Sequence, residues 1–237
     1  MKRLSGKVAV ITGGSRGIGK SIACALAKEG CKIAIAARSE DELKAAGKQI
    51  SKLEVPVLAV KTDVRKPAEV DELVHKVDRK FGAPHILINN AGIGRFAEVL
   101  KMKPEDFRAT LETNLFGVFY CTKAFLPGMI QNKEGHIINM SSLAGKNNFA
   151  SGAAYCASKH ALISFSECLM MEVRQHNIKV TAICPGTVQT NFSPESSQKG
   201  WALTAEDVSN AVVDVIFTAP GSLISLVDLR PLLPPKR

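Results

Sequence analysis

Two side chains one helical turn apart set the first chemical expectation. Tyr155 is followed at +4 by Lys159, whereas the second tyrosine, Tyr120, has Ala124 at that offset. On a helix, residues four apart share one face. A neighbouring ammonium stabilises phenolate and lowers a tyrosine pKa from about 10. Tyr155 is therefore expected to give a proton to a carbonyl near neutral pH. Ser142 stands thirteen residues upstream, at the end of the strand-like run 136–140, where parallel sheets bind ligands. Cys156 and His160 also stand four apart, the spacing of a cysteine–histidine nucleophile pair. They lie about 100° around the helix from the tyrosine. No third orienting group or oxyanion loop accompanies them, so their spacing reads as coincidence.

A second cluster is built for phosphate. The run 8–12 leads straight into Gly13-Gly14-Ser15-Arg16-Gly17-Ile18-Gly19, and a helical pattern follows. The loop is longer than G-x-G-x-x-G, but the physics is shared. Gly13, Gly17 and Gly19 allow a tight turn and close backbone approach, and the helix start offers free N–H groups to a pyrophosphate. No lysine followed by Ser or Thr stands at the offset of an NTP-hydrolysing loop. The next strand pattern ends Ala36-Ala37-Arg38-Ser39. The acid that holds a ribose 2′-hydroxyl in NAD sites is missing there. Arg16 and Arg38 can instead grip a 2′-phosphate, so NADP(H) is expected. Glu40 and Asp41 read as first-turn residues of the following helix.

These groups need a scaffold. Strand-like runs at 8–12, 32–36, 57–61, 86–89, 136–140, 179–183 and 223–228 alternate with helical patterns at 17–28, 40–52, 67–81, 104–130, 153–175 and 205–218. Such alternation implies an α/β fold, a doubly wound parallel sheet with helices on both faces. The 237 residues suit one domain, with 46% hydrophobic and 22% charged residues. That composition excludes disordered and fibrous chains, and no apolar run is long enough to span a membrane. Residues 191–203 lack periodicity and are expected to form a short substrate lid. The six cysteines form no Cys-x-x-Cys pair and read as reduced, mostly buried thiols. The five histidines show no ligand spacing, so no metal is expected. Net charge is +9, which favours a polyanionic partner or a phosphorylated cofactor. The basic pairs are scattered, so no nucleic-acid stripe is expected. No leader pattern is visible, and a cytoplasmic location is expected.

Taken together, the chain resembles the short-chain dehydrogenase/reductase family over nearly its whole length. The match is carried by Thr12-Gly13-x-x-x-Gly17-x-Gly19, Asp63-Val64, Asn89-Asn90-Ala91-Gly92, Asn114, Ser142, Tyr155-x-x-x-Lys159 and Pro185-Gly186-x-Val188-x-Thr190, in family order and spacing. The resemblance implies a single Rossmann-type domain and a set of roles. Tyr155 would be the general acid/base. Lys159 would lower its pKa and hold the nicotinamide ribose. Ser142 would hold the substrate oxygen, and Asn114 would support a water relay behind Lys159. Asp63 and Val64 would contact adenine, and Asn90, Ala91 and Gly92 would line the cofactor cleft. Pro185, Gly186, Val188 and Thr190 would seat the nicotinamide. Read from the residues alone, Asn114 is rather a capping or core amide, and Asp63 is equally a helix N-cap.

The expected activity is NADP(H)-dependent reduction of a ketone or aldehyde to an alcohol. Phe149, Phe192 and Trp201 favour an apolar substrate. Lys199 is the single cation in the lid, which leaves a substrate carboxylate little to bind. An alternative is reduction of 3-oxoacyl groups on an acidic acyl carrier protein, docked near Lys133 and His176. A non-catalytic NADP-sensing regulator is a further alternative, which the complete Asn114, Ser142, Tyr155, Lys159 set disfavours. Phe107, Leu111, Leu115 and Phe119, with Ala161, Phe165 and Leu169, recur at helical spacing. These surplus apolar faces predict self-association, and the resemblance implies a homotetramer or homodimer.

Overall fold

The structure, a computed structural model, describes residues 2–190, 192 and 200–233. Its strands are β1 Val8–Thr12, β2 Lys32–Ala37, β3 Val57–Lys61, β4 Ile86–Asn89, β5 Gly135–Met140, β6 Ile178–Pro185 and β7 Leu226–Leu229. The helices are α1 Gly17–Lys28, α2 Glu40–Ser51, α3 Pro67–Phe81, α4 Pro104–Leu111, α5 Gly117–Asn132, α6 Ala153–Val173 and α7 Ala205–Ile216. All seven strands run parallel in one sheet, in the order β3-β2-β1-β4-β5-β6-β7. This is the expected doubly wound α/β architecture.

The central strands are mostly apolar because both faces are covered. Every residue of β1 and β4 is buried. On one face, Ile22 and Leu26 of α1 and Val208 and Val212 of α7 pack on Ile11 and Ile33. On the other, Leu73 of α3, Phe125 of α5 and Leu169 and Val173 of α6 pack on Val10 and Leu87. The chain runs outward from β1 to β3, then returns to place β4 on the other side of β1. Strand order reverses there, and a crevice opens beyond the carboxyl ends of β1 and β4.

Local chemistry sets the helix starts. Pro67 and Pro104 open α3 and α4, where a missing N–H costs nothing. Thr204 and Asp207 cap α7 reciprocally, at 2.7 and 3.1 Å. Three expectations need correction. The pattern 104–130 is not one regular helix: Glu112–Phe116 winds as a π segment between α4 and α5. This wider turn shifts the helical phase. The stripe through 161, 165 and 169 does not stay on the surface, because Leu169 enters the core. β7 starts at Leu226 rather than 223, where pairing with Ala182 of β6 begins.

Of the expected lid, Phe192 and residues 200–203 are described; Asn191, Lys199 and 193–198 lie outside the described residues. Leu203 returns alongside Val188 as a parallel bridge, with Gln189 N–H donating to Leu203 C=O at 2.8 Å. Among the described residues, no helix is long and apolar enough to cross a membrane.

Candidate active site

A cavity of about 1000 Å³ opens along the carboxyl ends of the strands. Its first wall is the glycine loop. Gly13 and Gly17 have φ of +64° and +53°, the left-handed region that glycine enters without strain. A Cβ on Gly13 would meet Asn90 Nδ2 at 2.8 Å, and one on Gly19 would overlap Gly13 C=O. Asn90 explains the tightness. Its amide donates to Thr12 C=O at 3.0 Å and Gly13 C=O at 3.2 Å, while Thr12 Oγ1 accepts from Asn90 and Ala91 N–H at 3.0 and 3.1 Å. The loop is thereby clamped to β4. Arg16, the N-cap of α1, gives no side-chain cap, so the first N–H groups of α1 keep their donors for a ligand.

Ser15, Arg16, Gly17, Ile18, Arg38, Ser39, Asp63 and Val64 line the same cavity. Ser39 also caps α2. Asp63 does not cap α3, whose N-cap is Lys66. Its carboxylate takes a two-pronged hydrogen bond from Arg65, at 2.9 and 2.5 Å. That bond, reinforced by the fields of Arg65 and Arg38, holds the carboxyl below its usual range. A dinucleotide fits this donor set: glycine-lined backbone for the pyrophosphate, with the Arg16 and Arg38 cations beside it.

At the other end lie Ser142, Tyr155, Lys159, Pro185, Gly186, Val188 and Thr190, with Phe149, Phe192 and Trp201. β5 and α6 bring the polar groups together. Lys159 is buried and donates to Met140 C=O at 2.7 Å. Its Nζ stands 5.7 Å from the Tyr155 ring centre. Burial lowers the Lys159 pKa to about 8. Ser142 Oγ accepts from Ala144 N–H at 3.1 Å and donates to Pro185 C=O at 3.4 Å. Burial pushes Tyr155 up to about 12, and the only lowering influence resolved is a hydrogen bond with Ser142.

Asn114 and Gly19 do not line the cavity; they support its walls. Asn114 is fully buried in the π segment. Its Oδ1 accepts from Ile93 N–H at 2.8 Å, and its amide donates to Ile93 C=O at 2.9 Å and Ser158 Oγ at 3.0 Å. Both amide hydrogens are thus committed to the protein. A Cβ on Gly92 would sit 3.3 Å from Asn114 Oδ1 and 3.8 Å from Lys159 Nζ, so Asn114 braces a stretch of backbone that passes close to the lysine.

Among the cavity residues that escaped the sequence reading, three bear on the chemistry. Phe96 packs edge-on to Tyr155, with ring centres 5.5 Å apart, and tilts against Phe149 at 5.8 Å. With Phe192 at 5.7 Å from Tyr155, it surrounds the phenol with apolar rings. Only the glycine-rich approach 92–94 hinted at a side chain lying close by. Arg230 lines the cavity although it follows the last strand. Gly186 N–H donates to Leu229 C=O at 2.8 Å and brings that segment beside the catalytic end. The cleft therefore has a cation that a survey of the lid alone does not find. Glu42, on α2, is the third.

Comparison with known proteins agrees with this geometry. Residues 7–201 match the family model for short chain dehydrogenases. A farnesol dehydrogenase of Aedes aegypti is 36% identical over 241 residues, spanning 98% of each chain. A metagenomic short-chain oxidoreductase solved with NADP is 36% identical, with a TM-score of 0.87 over 98% of this chain and 100% of the other. An alcohol dehydrogenase of the archaeon Thermococcus sibiricus, solved with 5-hydroxy-NADP, is 30% identical, with a TM-score of 0.91 over 98% and 99% of the two chains. A seven-stranded doubly wound sheet and relatives matched along almost their full length lead to one conclusion: this chain belongs to the short-chain dehydrogenase family and is an oxidoreductase.

Proposed function

We propose that the protein interconverts a carbonyl and an alcohol with NADP(H), Tyr155 passing the proton. The observation that carries this reading is the continuity of one cleft. Arg16 and Arg38 lie at one end, and Ser142, Tyr155 and Lys159 at the other. NADP(H), when bound, supplies or accepts the hydride. Ser142 holds the substrate oxygen within reach of the Tyr155 hydroxyl. Tyr155, a neutral phenol at pH 7 as any tyrosine is, donates to that oxygen as charge builds on it. Lys159 places a positive charge beside the phenol, and Asn114 positions the Ile93 backbone behind it.

The rings of Phe96, Phe149 and Phe192 around Tyr155 support an apolar ketone or aldehyde as substrate, held by dispersion rather than by directional bonds. The acyl-carrier alternative gains no support within the chain. Lys133 and His176 immediately precede β5 and β6, at the amino ends of the strands and thus opposite the cleft. We also propose self-association, as a homotetramer or homodimer, through the exposed aromatic face of α5.

The decisive measurement is NADPH oxidation against aromatic aldehydes, diketones, 2-oxo acids and 3-oxoacyl thioesters. Turnover of neutral apolar carbonyls supports the reading. Turnover of the thioesters alone would replace it with the acyl-carrier alternative.

A further inference from the structure

Glu42 brings a carboxylate to the end of the cleft where a phosphate is expected. Ser39 caps α2 by accepting from Glu42 N–H at 3.4 Å, which turns the first turn of the helix toward the glycine loop. The Glu42 side chain then reaches across that loop. Ser15 Oγ donates to Glu42 Oε2 at 3.0 Å, and Arg16 Nη1 to Oε1 at 3.3 Å. One carboxylate therefore occupies a hydroxyl and a guanidinium of the phosphate-binding wall. The other charges at this end are Arg38 and the Asp63–Arg65 pair. The pair is internally neutral, so the choice of ligand rests on Arg16, Arg38 and Glu42.

We propose that Glu42 sets the dinucleotide preference of this chain, opposing the 2′-phosphate of NADP(H) and accepting a hydrogen bond from the 2′-hydroxyl of NAD(H). The inference rests on the cofactor site described under Proposed function. In NAD-binding Rossmann folds the ribose is held by an acid near the end of the second strand. Here that strand ends at Ala37, and the acid comes five residues later, from the helix. A 2′-phosphate must share Arg16 with Glu42 and meets a like charge. A 2′-hydroxyl meets an acceptor already held in place by Ser15 and Arg16. The chain should therefore bind both dinucleotides, with a smaller preference for NADPH than two unopposed arginines would give.

The test is fluorescence titration of the full chain with NADPH and with NADH, without substrate, for the wild type, Glu42→Gln and Glu42→Ala. Both variants should bind NADPH roughly three- to tenfold more tightly and NADH more weakly by a similar factor, the range of a half-exposed charge interaction. In an Arg16→Gln background the gain in NADPH affinity should shrink. Raising the salt should shrink it too, because the side chains of Glu42 and Arg16 are 41% and 63% exposed. A general disturbance of α2 would weaken both cofactors together, and that result overturns the proposal, as does no change in either. A wild type that binds NADH alone and loses it in Glu42→Gln keeps the role of Glu42 and overturns the NADP reading. A wild type that strongly prefers NADPH, with Glu42→Gln unchanged, does the reverse.

Discussion

Tyr155 shows how burial and charge compete at a single residue. Aromatic rings and the cleft wall desolvate its phenol and raise its pKa to about 12, while the Lys159 ammonium stands 5.7 Å from the ring centre. A group with this pKa is an acid at neutral pH, and its phenolate fraction grows with each unit of alkali. Carbonyl reduction, which needs the phenol, should therefore be favoured at neutral and lower pH. Alcohol oxidation, which needs the phenolate, should climb from pH 7 to 10. Initial rates in both directions across that range check this. Tyr155→Phe should lower turnover by roughly 10²- to 10⁴-fold, the usual worth of general acid catalysis, with little change in NADPH affinity by titration. A variant that retains half its turnover would remove Tyr155 from the proton path.

At the scale of elements, two buried polar groups tie segments together and give stability predictions. Asn114 joins the π segment to residue 93 and α6. Asn114→Ala would take the side-chain partners from the half-buried Ile93 N–H and C=O, at about 1 kcal/mol each. A clear fall in melting temperature is expected, together with weaker cofactor binding, because the 90–93 backbone lines the cleft. His136 does similar work across β5 and β6. Thr181 gives its proton to Ile224 C=O at 2.6 Å, so His136 Nε2 must be the donor in the 2.9 Å bond to Thr181 Oγ1. Burial lowers the His136 pKa to about 4. The unfolded chain, with a histidine near 6.5, binds this proton first as the pH falls. Stability is thus full above about pH 6.5 and is lost progressively toward pH 4, by about 2 kcal/mol between pH 7 and 5. His136→Gln keeps a donor but does not titrate. Its melting temperature should change less than that of the wild type between those two pH values.

The molecule as a whole exposes more aromatic surface than one chain needs. Phe116, Phe119 and Tyr120 of the π segment and α5 lie ring against ring, and Phe165 of α6 meets Phe119 edge-on at 6.4 Å. Phe107, Phe116 and Phe119 each leave over a third of their surface exposed. Covering such a patch with a second copy would return apolar area to a dry environment at about 25 cal/mol per Å², and the patch lies away from the cleft. Light scattering should therefore give a multiple of 25.4 kDa at micromolar concentration. Phe119→Glu should move the mass toward that of one chain.

The strands were legible in the sequence because parallel strands buried on both faces must be continuous apolar runs, and the phosphate loop because only glycine fits its positive φ and close contacts. Tyr155, Lys159 and Ser142 were legible because helical spacing and a strand end fix their neighbourhood. Distances along the chain say nothing about what reaches in from elsewhere. Phe96, Arg230 and Glu42 enter the cleft from a loop, the segment after β7 and the first turn of α2, and their placement required the folded backbone. The same holds for the balance of forces on Tyr155. Spacing put an ammonium beside the phenol, but only the tertiary structure decided that the ammonium would be buried against Met140 C=O and that aromatic rings would surround the phenol.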